Sequence, residues 1–150
     1  MSGAAHELDD ESGCDTVKLG RQESLRLLAG AAYGRVVFSH QALPAIRPVN
    51  HLLDDGMIII RTRLSVQLAS IVRADGGTGE VVAYEEADEL DPILHTGWSV
   101  VVTGFARSVT DPTRVARYRR LLRPWVNKTM NAVIEIEPKI VTGIRLVPHP

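Results

Sequence analysis

Residues 44–63 read PAIRPVNHLLDDGMIIIRTR, and this stretch decides how the chain folds. The DDG at residues 54–56 is a tight-turn signal between two β-like segments, residues 46–53 and 57–62. The pattern therefore predicts a β-hairpin. A further strand at residues 43–49 carries two prolines. Because proline cannot donate a hydrogen bond to a sheet ladder, this strand is predicted to lie at a sheet edge or to be bulged.

Outward from the hairpin, β-rich and helical patterns alternate with turns. Further strands are predicted at residues 35–39, 81–85, 98–109, 132–137 and 141–147, and short helices at 21–34, 64–73 and 111–122. Asp111 and Pro112 are the N-cap and first residue typical of a helix start. Gly104, inside a long strand, predicts a bulge or bend. Residues 86–97 are predicted to be an acidic linker, and residues 137–139 a turn.

The order of these elements predicts the fold class. Strands are joined mostly by turns and not by regular crossover helices, which favours a mainly β fold: an antiparallel barrel with short helices. The length of 150 residues fits one domain. We assign that domain to residues 16–150. Residues 1–15 are rich in Asp, Glu, Gly and Ser without an apolar period, so they are predicted to be a disordered tail.

Charge and cysteine content exclude several classes of protein. Seventeen basic and eighteen acidic side chains leave a net charge of −1, which gives no reason to expect nucleic acid or an anionic membrane as a partner. The apolar runs are too short to span a bilayer, and the first residues do not form a secretory signal. The one cysteine, Cys14, cannot form an intramolecular disulfide. The expected location is the cytoplasm.

Motifs of the common enzyme classes are absent from the sequence. No GxGxxG follows a predicted strand, and no GxxxxGK[ST] phosphate loop occurs. There is no HExxH and no cysteine pair, so no metal site is expected. A GxSxG nucleophile elbow is also missing. Hydrolase and metalloprotease functions are therefore disfavoured, and no catalytic residue is assigned.

Four sequence blocks occur in order along the chain. They are GRVVF at 34–38, PAIRPVNH at 44–51 with the hairpin after it, GWSVVVTG at 97–104, and IEPKIVTGIRL at 136–146. The ordered set resembles the pyridoxamine 5′-phosphate oxidase-like family of FMN-binding split barrels, its short actinobacterial-type members in particular, over residues 25–147. The resemblance implies an antiparallel barrel of the Greek-key type. It also implies a homodimer with two flavin or deazaflavin sites at the interface, each lined by both subunits.

The same resemblance implies that Arg61, Thr62 and Arg63 form the phosphate-binding end of the site. A phosphate carries about −1.5 to −2 charges, and guanidinium groups bind its oxygens in pairs. Arg61 and Arg63 are two residues apart and would share a strand face, although a solvated strand end with ion pairs is the alternative. Family members commonly carry Gly and Lys where this chain has Ser65 and Gln67, so one charged contact with the phosphate is lost.

The family resemblance also implies which residues lie near the flavin ring. Pro48, Val49 and Asn50 correspond to the strand that runs beside the isoalloxazine ring. Trp98 and Ser99 correspond to a region near the cofactor, although a tryptophan at such a position is also a common core residue.

Two further features have alternative interpretations. Asn50 and His51 point to opposite strand faces, and the pattern favours Asn50 as the residue that faces a shared site. An unperturbed histidine side chain changes charge near physiological pH, which makes His51 the candidate if acid chemistry occurs. Arg114, Arg117 and Arg120 share one helix face. That face is either solvated or in contact with a dimer mate or an anionic ligand tail.

The sequence thus favours an FMN-binding, oxidoreductase-like protein that acts on a small-molecule substrate, which the sequence does not identify. The flavin would perform the redox step, and the protein would position it. The alternative is a non-catalytic or stress-related ligand-binding protein on the same barrel. Such a protein would hold deazaflavin, haem or no cofactor, and the uncharged Gln67 favours it.

The variant Gln67→Lys tests the predicted phosphate end. Restoring a charged contact should tighten FMN binding by roughly 1.5–3 kcal/mol, which is about tenfold to a hundredfold in Kd. Titration of flavin fluorescence measures the change. An unchanged Kd would mean that residue 67 does not face the phosphate.

Overall fold

The computed structural model describes residues 14–31, 33–40, 43–62, 81–123 and 132–148. Within these ranges the chain forms eight strands and two helices. The strands are β1 (Cys14–Leu19), β2 (Gly34–His40), β3 (Leu43–Val49), β4 (His51–Asp54), β5 (Met57–Thr62), β6 (Val81–Asp91), β7 (Thr96–Ser108) and β8 (Ala132–Pro148). The helices are α1 (Arg21–Gly30) and α2 (Pro112–Leu121). Neither helix is long and apolar enough to cross a membrane.

The strands form one antiparallel sheet that curls into a barrel. Its order is β3-β2-β6-β7-β8-β5-β4, with β1 paired to β8 beside this path. β3 and β4 are therefore the two ends of the order, yet only Asn50 separates them in the chain. One residue extends a chain by at most about 3.6 Å, so the two ends must meet. We call this junction at Asn50 the seam. The predicted antiparallel barrel and the edge position of β3 are confirmed.

β8 is one continuous strand of 17 residues, whereas two strands with a turn at residues 137–139 were predicted. The prediction was wrong because a bulge accommodates Pro138. The register with β7 shifts at Gly104, which pairs with Pro138, while Thr103 pairs with Ile140. A side chain at Gly104 would collide with the backbone of Glu137, so the bulge requires glycine. The predicted bulge at Gly104 is confirmed.

The predicted acidic linker at residues 86–97 was also wrong. β6 continues to Asp91, and only four residues separate it from β7. Ala87 is buried at 1% exposure and faces inward, whereas Asp88 is exposed. Beyond Ala87, the exposed acidic residues Glu89 and Asp91 occupy the inward positions of β6, which conceals the alternation that marks a strand.

β1 was not predicted. It runs antiparallel to β8, from Cys14 opposite Pro148 to Leu19 opposite Gly143. It begins inside the range 1–15 that was assigned to a tail, and residues 1–13 lie outside the described part of the chain. The helix predicted at 64–73 lies outside it as well.

The main core fills the inner face of the curled sheet. Alternate residues of β7, from Trp98 to Ala106, point inward and are buried, which is the period of two expected of a strand with one buried face. α1 covers this face and buries Leu28 completely. The cluster consists of Leu28, Val36, Val49, Ile58, Ile60, Ala87, Trp98, Val100, Val102, Ala106, Ile134 and Ile136.

α2 covers one end of the outer face. Its start is as predicted: the Asp111 side chain accepts a hydrogen bond from the Thr113 N–H at 3.2 Å, and Pro112 opens the helix. The second core cluster lies beneath it and consists of Ile59, Val109, Tyr118, Leu122 and Val133. The two helices therefore pack on opposite faces of the sheet.

Candidate functional site

Two of the predicted cofactor residues, Asn50 and Arg61, converge on the C-terminal end of α2. Nη1 of Arg61 donates to the carbonyl oxygens of Arg119 at 3.1 Å and of Leu122 at 3.0 Å. Nδ2 of Asn50 donates to the carbonyl oxygen of Arg123 at 2.6 Å. The seam and strand β5 are thus joined to the same helix end.

The helix end presents these carbonyls for a simple reason. The last four carbonyl groups of an α-helix have no partner within the helix. Here the Leu122 N–H donates to the Tyr118 carbonyl at 2.8 Å, and Pro124 disfavours helical geometry at Arg123. A cation at a helix C-terminus is also favoured by the helix dipole. Arg61 therefore stabilises the end of α2.

The other residues predicted to bind the flavin ring or its phosphate differ in their location and exposure. Pro48 is exposed on β3, and Val49 is buried in the inner core. Thr62 is the last residue of β5. Arg63 and Gln67 lie outside the described residues, so their predicted roles stay predictions.

Trp98 and Ser99 lie on opposite faces of β7. Trp98 is 7% exposed and belongs to the inner core, as the alternative interpretation of this residue expected. Ser99 is half-buried on the outer face, opposite Ile144 of β8. Only Ser99 therefore points toward the outside of the barrel.

Ser99 is remote from Arg61 within one subunit. The far end of β7, at Ser108, lies near Arg61. The residue after it, Val109, donates a hydrogen bond to the carbonyl of Val133, and Val133 is the register partner of Arg61. Ser99 and Ser108 are nine residues apart, which is about 30 Å at the rise of a strand. One subunit does not bring Ser99 and Arg61 into the same small site.

His51 points to the barrel interior, opposite to Asn50, as the strand alternation predicts. It is 8% exposed, and its Nε2 donates to the Leu28 carbonyl at 2.6 Å. A carbonyl only accepts, so this bond requires a proton on Nε2. The contact ties α1 to β4 next to the seam and gives His51 a structural role.

A cavity of about 480 Å³ opens between the β4–β5 turn and α2. It is lined by Asp54, Asp55, Met57, Arg114, Arg117, Tyr118 and Glu135. The sequence did not predict it, because the turn and the helix are distant in the chain and no local pattern links them. The sequence indicates only that Arg114, Arg117 and Tyr118 lie within one turn of each other on α2.

Two ion pairs and one hydrogen bond connect the side chains that line this cavity. The Tyr118 hydroxyl donates to Asp54 at 2.6 Å, and Arg117 forms an ion pair with the same carboxylate at 3.3 Å. Arg114 pairs with Glu135 at 2.7 Å. Burial of the hydroxyl, followed by its bond to Asp54, raises the pKa of Tyr118. Each arginine is neutralised by a carboxylate, so the arrangement fastens α2 to the hairpin turn.

Comparison with known proteins identifies the family. A family model described as pyridoxamine 5′-phosphate oxidase matches residues 20–145, which include both helices, strands β2 to β7 and most of β8. The chain belongs to the pyridoxamine 5′-phosphate oxidase family. It is 56% identical over 147 residues to the uncharacterized protein Rv0080 of Mycobacterium tuberculosis, a match that covers 98% of this chain and 96% of that protein.

Solved structures share the split-barrel fold of the pyridoxamine 5′-phosphate oxidase family. A candidate pyridoxamine 5′-phosphate oxidase from Corynebacterium glutamicum is 30% identical with a TM-score of 0.69, covering 90% of this chain and 100% of that one. An FAD binding protein from Mycobacterium smegmatis is 26% identical with a TM-score of 0.62, covering 87% of this chain and 98% of that one. The predicted family and fold class are confirmed.

The variant Tyr118→Phe tests the joint between α2 and the hairpin turn. Loss of the bond to Asp54 should lower the free energy of unfolding by about 1–2 kcal/mol, measured by urea denaturation at pH 7. A tyrosine in the unfolded chain ionises near pH ~10, and the pKa of Tyr118 in the folded protein is raised above that value. The stabilisation by the neutral hydroxyl is therefore complete below pH ~10, and it is lost as the pH rises through the raised pKa of the folded protein. The variant should not show this loss of stability at alkaline pH.

Tyr33→Phe, at an exposed tyrosine, is the control. Equal stability of Tyr118→Phe and the wild type would mean that the hydroxyl bond to Asp54 does not fasten α2 to the hairpin turn.

Proposed function

We propose that this protein is a flavin-binding, oxidoreductase-like member of its family, with FMN as the cofactor. The observation that carries the proposal is the convergence of Asn50 and Arg61 on one helix end beside the seam. The FAD binding protein from Mycobacterium smegmatis supports a flavin, because FMN and FAD share the isoalloxazine ring and the phosphate next to it.

Arg61 is proposed to bind the flavin phosphate. Both of its Nη1 bonds run to carbonyl oxygens of α2, which holds the guanidinium plane in one orientation. The flavin phosphate is proposed to bind beside this guanidinium group, whose N–H donors suit phosphate oxygens. A group oriented in advance loses less conformational entropy on binding. Arg63 is proposed as a second charged contact and Gln67 as an uncharged one.

The ring is proposed to lie along Pro48, Val49 and Asn50. Pro48 is exposed and has no N–H, so it offers an apolar surface without an unpaired donor. Val49 points into the core and contributes only its backbone to this edge. Asn50 donates to Arg123 through its nitrogen, and its amide oxygen is an acceptor suited to a ring N–H.

A homodimer is proposed because one subunit does not complete the site. Ser99 lies about 30 Å along β7 from the end of the strand that is near Arg61. Ser99 would therefore contact a flavin bound at Arg61 only if it came from a second subunit. This geometry supports a cofactor at the interface that both subunits line. Neither nucleic acid nor a membrane is part of the proposal.

The bound flavin would supply hydride or electron transfer to a small-molecule substrate. The residues of the chain would bind and orient it. Arg61 would hold the anionic end, Asn50 would fix the ring edge at the seam, and the end of α2 would shield the space between them from water. No side chain of this set has to act as a nucleophile.

The variant Arg61→Ala tests the phosphate contact. Loss of a charge-assisted bond should weaken FMN binding by roughly 1.5–3 kcal/mol, which is about tenfold to a hundredfold in Kd by fluorescence titration. Arg61 also stabilises the end of α2, so thermal unfolding should shift downward in parallel.

Arg26→Ala is the matched control, because Arg26 is an exposed arginine on α1, on the opposite face of the sheet from α2. It should bind FMN as wild type does. The proposal fails if Arg61→Ala, still folded by circular dichroism, keeps the wild-type Kd. Absence of any flavin binding by the wild type would also refute it.

A further inference from the structure

The cavity between the β4–β5 turn and α2 opens where the second core cluster ends. Along β8, the outward residue Val133 belongs to that cluster, whereas the next outward residue, Glu135, lines the cavity. Glu135 points outward because both of its neighbours in β8 are completely buried in the inner core. A polar side chain thus replaces an apolar one beneath α2, and a space of about 480 Å³ stays open there. We call this space the turn cavity.

The turn cavity is separate from the proposed flavin site. Met57, which lines it, and Arg61 are both in β5 and are four residues apart, which is about 13 Å at the rise of a strand. Asp54, which also lines it, is the last residue of β4, and Asn50 directly precedes the first. A ligand of the turn cavity would therefore occupy the opposite end of the hairpin from the flavin.

The side chains around the turn cavity hold one another in place. The Tyr118 hydroxyl and Nη1 of Arg117 both donate to the same oxygen, Oδ2 of Asp54, at 2.6 and 3.3 Å. Nη2 of Arg114 donates to Glu135 at 2.7 Å. The guanidinium carbons of Arg114 and Arg117 lie 5.6 and 5.8 Å from the centre of the Tyr118 ring, which is cation–π distance. Groups oriented in advance lose less conformational entropy when they bind a ligand.

These contacts leave hydrogen-bonding groups of both charges unused. Both bonds to Asp54 end on Oδ2, and its Oδ1 has no hydrogen-bond partner in the described part of the chain. Nε and Nη2 of Arg117 have none among the described residues either. Asp55 is exposed in the turn, with a φ of 51°, and forms no hydrogen bond or ion pair within the ranges that the structure describes. Two carboxylates and one guanidinium group can therefore still bind a ligand.

The charges of the lining indicate the class of ligand. Three carboxylates and two guanidinium groups line the turn cavity, so a purely anionic ligand is disfavoured. An ammonium group suits Asp55 and Oδ1 of Asp54, and a carboxylate suits the unused N–H groups of Arg117. Because Arg117 contacts the Asp54 carboxylate at 3.3 Å, these binding groups are only a few ångströms apart. The ammonium and the carboxylate of an α-amino acid have the same close spacing.

We propose that the turn cavity binds a free α-amino acid with an apolar side chain. Asp54 and Asp55 bind its ammonium group, Arg117 binds its carboxylate, and the half-buried Met57 contacts its side chain. The volume of about 480 Å³ lies in the range of small-molecule sites. The amino acid connects the hairpin turn to α2, and its binding requires no flavin.

Titration of the full chain with L-leucine tests the site, followed by NMR of the Met57 methyl group. Addition of L-leucine should shift this signal saturably, because Met57 lines the turn cavity. N-acetyl-L-leucine lacks the ammonium and L-leucinamide lacks the carboxylate. Each should bind about tenfold more weakly or worse, since one set of charge-assisted bonds is lost. No shift with L-leucine, or equal affinity for either analogue, would overturn the proposal.

Two variants assign the two ends of the amino acid. Asp55→Asn removes one charge, and asparagine tolerates the positive φ of this turn. It should weaken L-leucine binding about tenfold and leave the affinity for N-acetyl-L-leucine unchanged. Arg117→Gln should weaken L-leucine binding to a similar extent and leave the affinity for L-leucinamide unchanged. Wild-type affinity of both variants for L-leucine would refute the site.

Asp88→Asn is the matched control, because it makes the same change at an exposed aspartate of β6, a strand that contributes no residue to the lining of the turn cavity. It should bind L-leucine as the wild type does. Saturating FMN should not displace L-leucine, because the two sites are at opposite ends of the hairpin. Displacement would mean that L-leucine binds in the flavin site and would refute the turn cavity as its location. Because the L-leucine titration itself contains no flavin, its result does not depend on whether FMN binds.

Discussion

Val49 ends one edge strand of the sheet, His51 begins the other, and only Asn50 lies between them. Because only one residue links them, the two edge strands of the sheet meet at Asn50, and the sheet is curled. The curled sheet has an inner face, filled mainly by aliphatic side chains and covered by α1, and an outer face that α2 covers at one end. His51 reinforces the same place from inside through its bond to the Leu28 carbonyl.

The seam also determines where the candidate site lies. Asn50 and Arg61 both bind carbonyl groups at the end of α2, so the helix is positioned by the strands that form the proposed flavin groove. In the proposed function Arg61 has two tasks, because it binds carbonyl groups at the helix end and would also contact the flavin phosphate. The proposed phosphate contact at Arg61 would therefore couple the stability of α2 to flavin binding.

Local sequence signals predicted the elements that depend on neighbouring residues. The Asp54-Asp55-Gly56 turn gave the hairpin, and Asp111 with Pro112 gave the start of α2. The signals failed where tertiary pairing overrides local chemistry, as in the single strand β8, which absorbs Pro138 in a bulge. Asn50 and Arg61 were predicted from family resemblance, but their backbone partners on α2 are about 60–70 residues away in the chain and leave no local pattern.

Hydrogen–deuterium exchange of the wild type, with and without saturating FMN, measures whether the ligand binds where β3, β4 and the end of α2 meet. We expect slower amide exchange at the end of α2 and in the strands on both sides of Asn50 when FMN is present, because the ligand joins elements that meet at the seam. α1, on the opposite face of the sheet, should exchange at the same rate in both samples. Unchanged exchange at residues 119–123 and 46–62 in the presence of FMN would mean that no flavin binds at the seam.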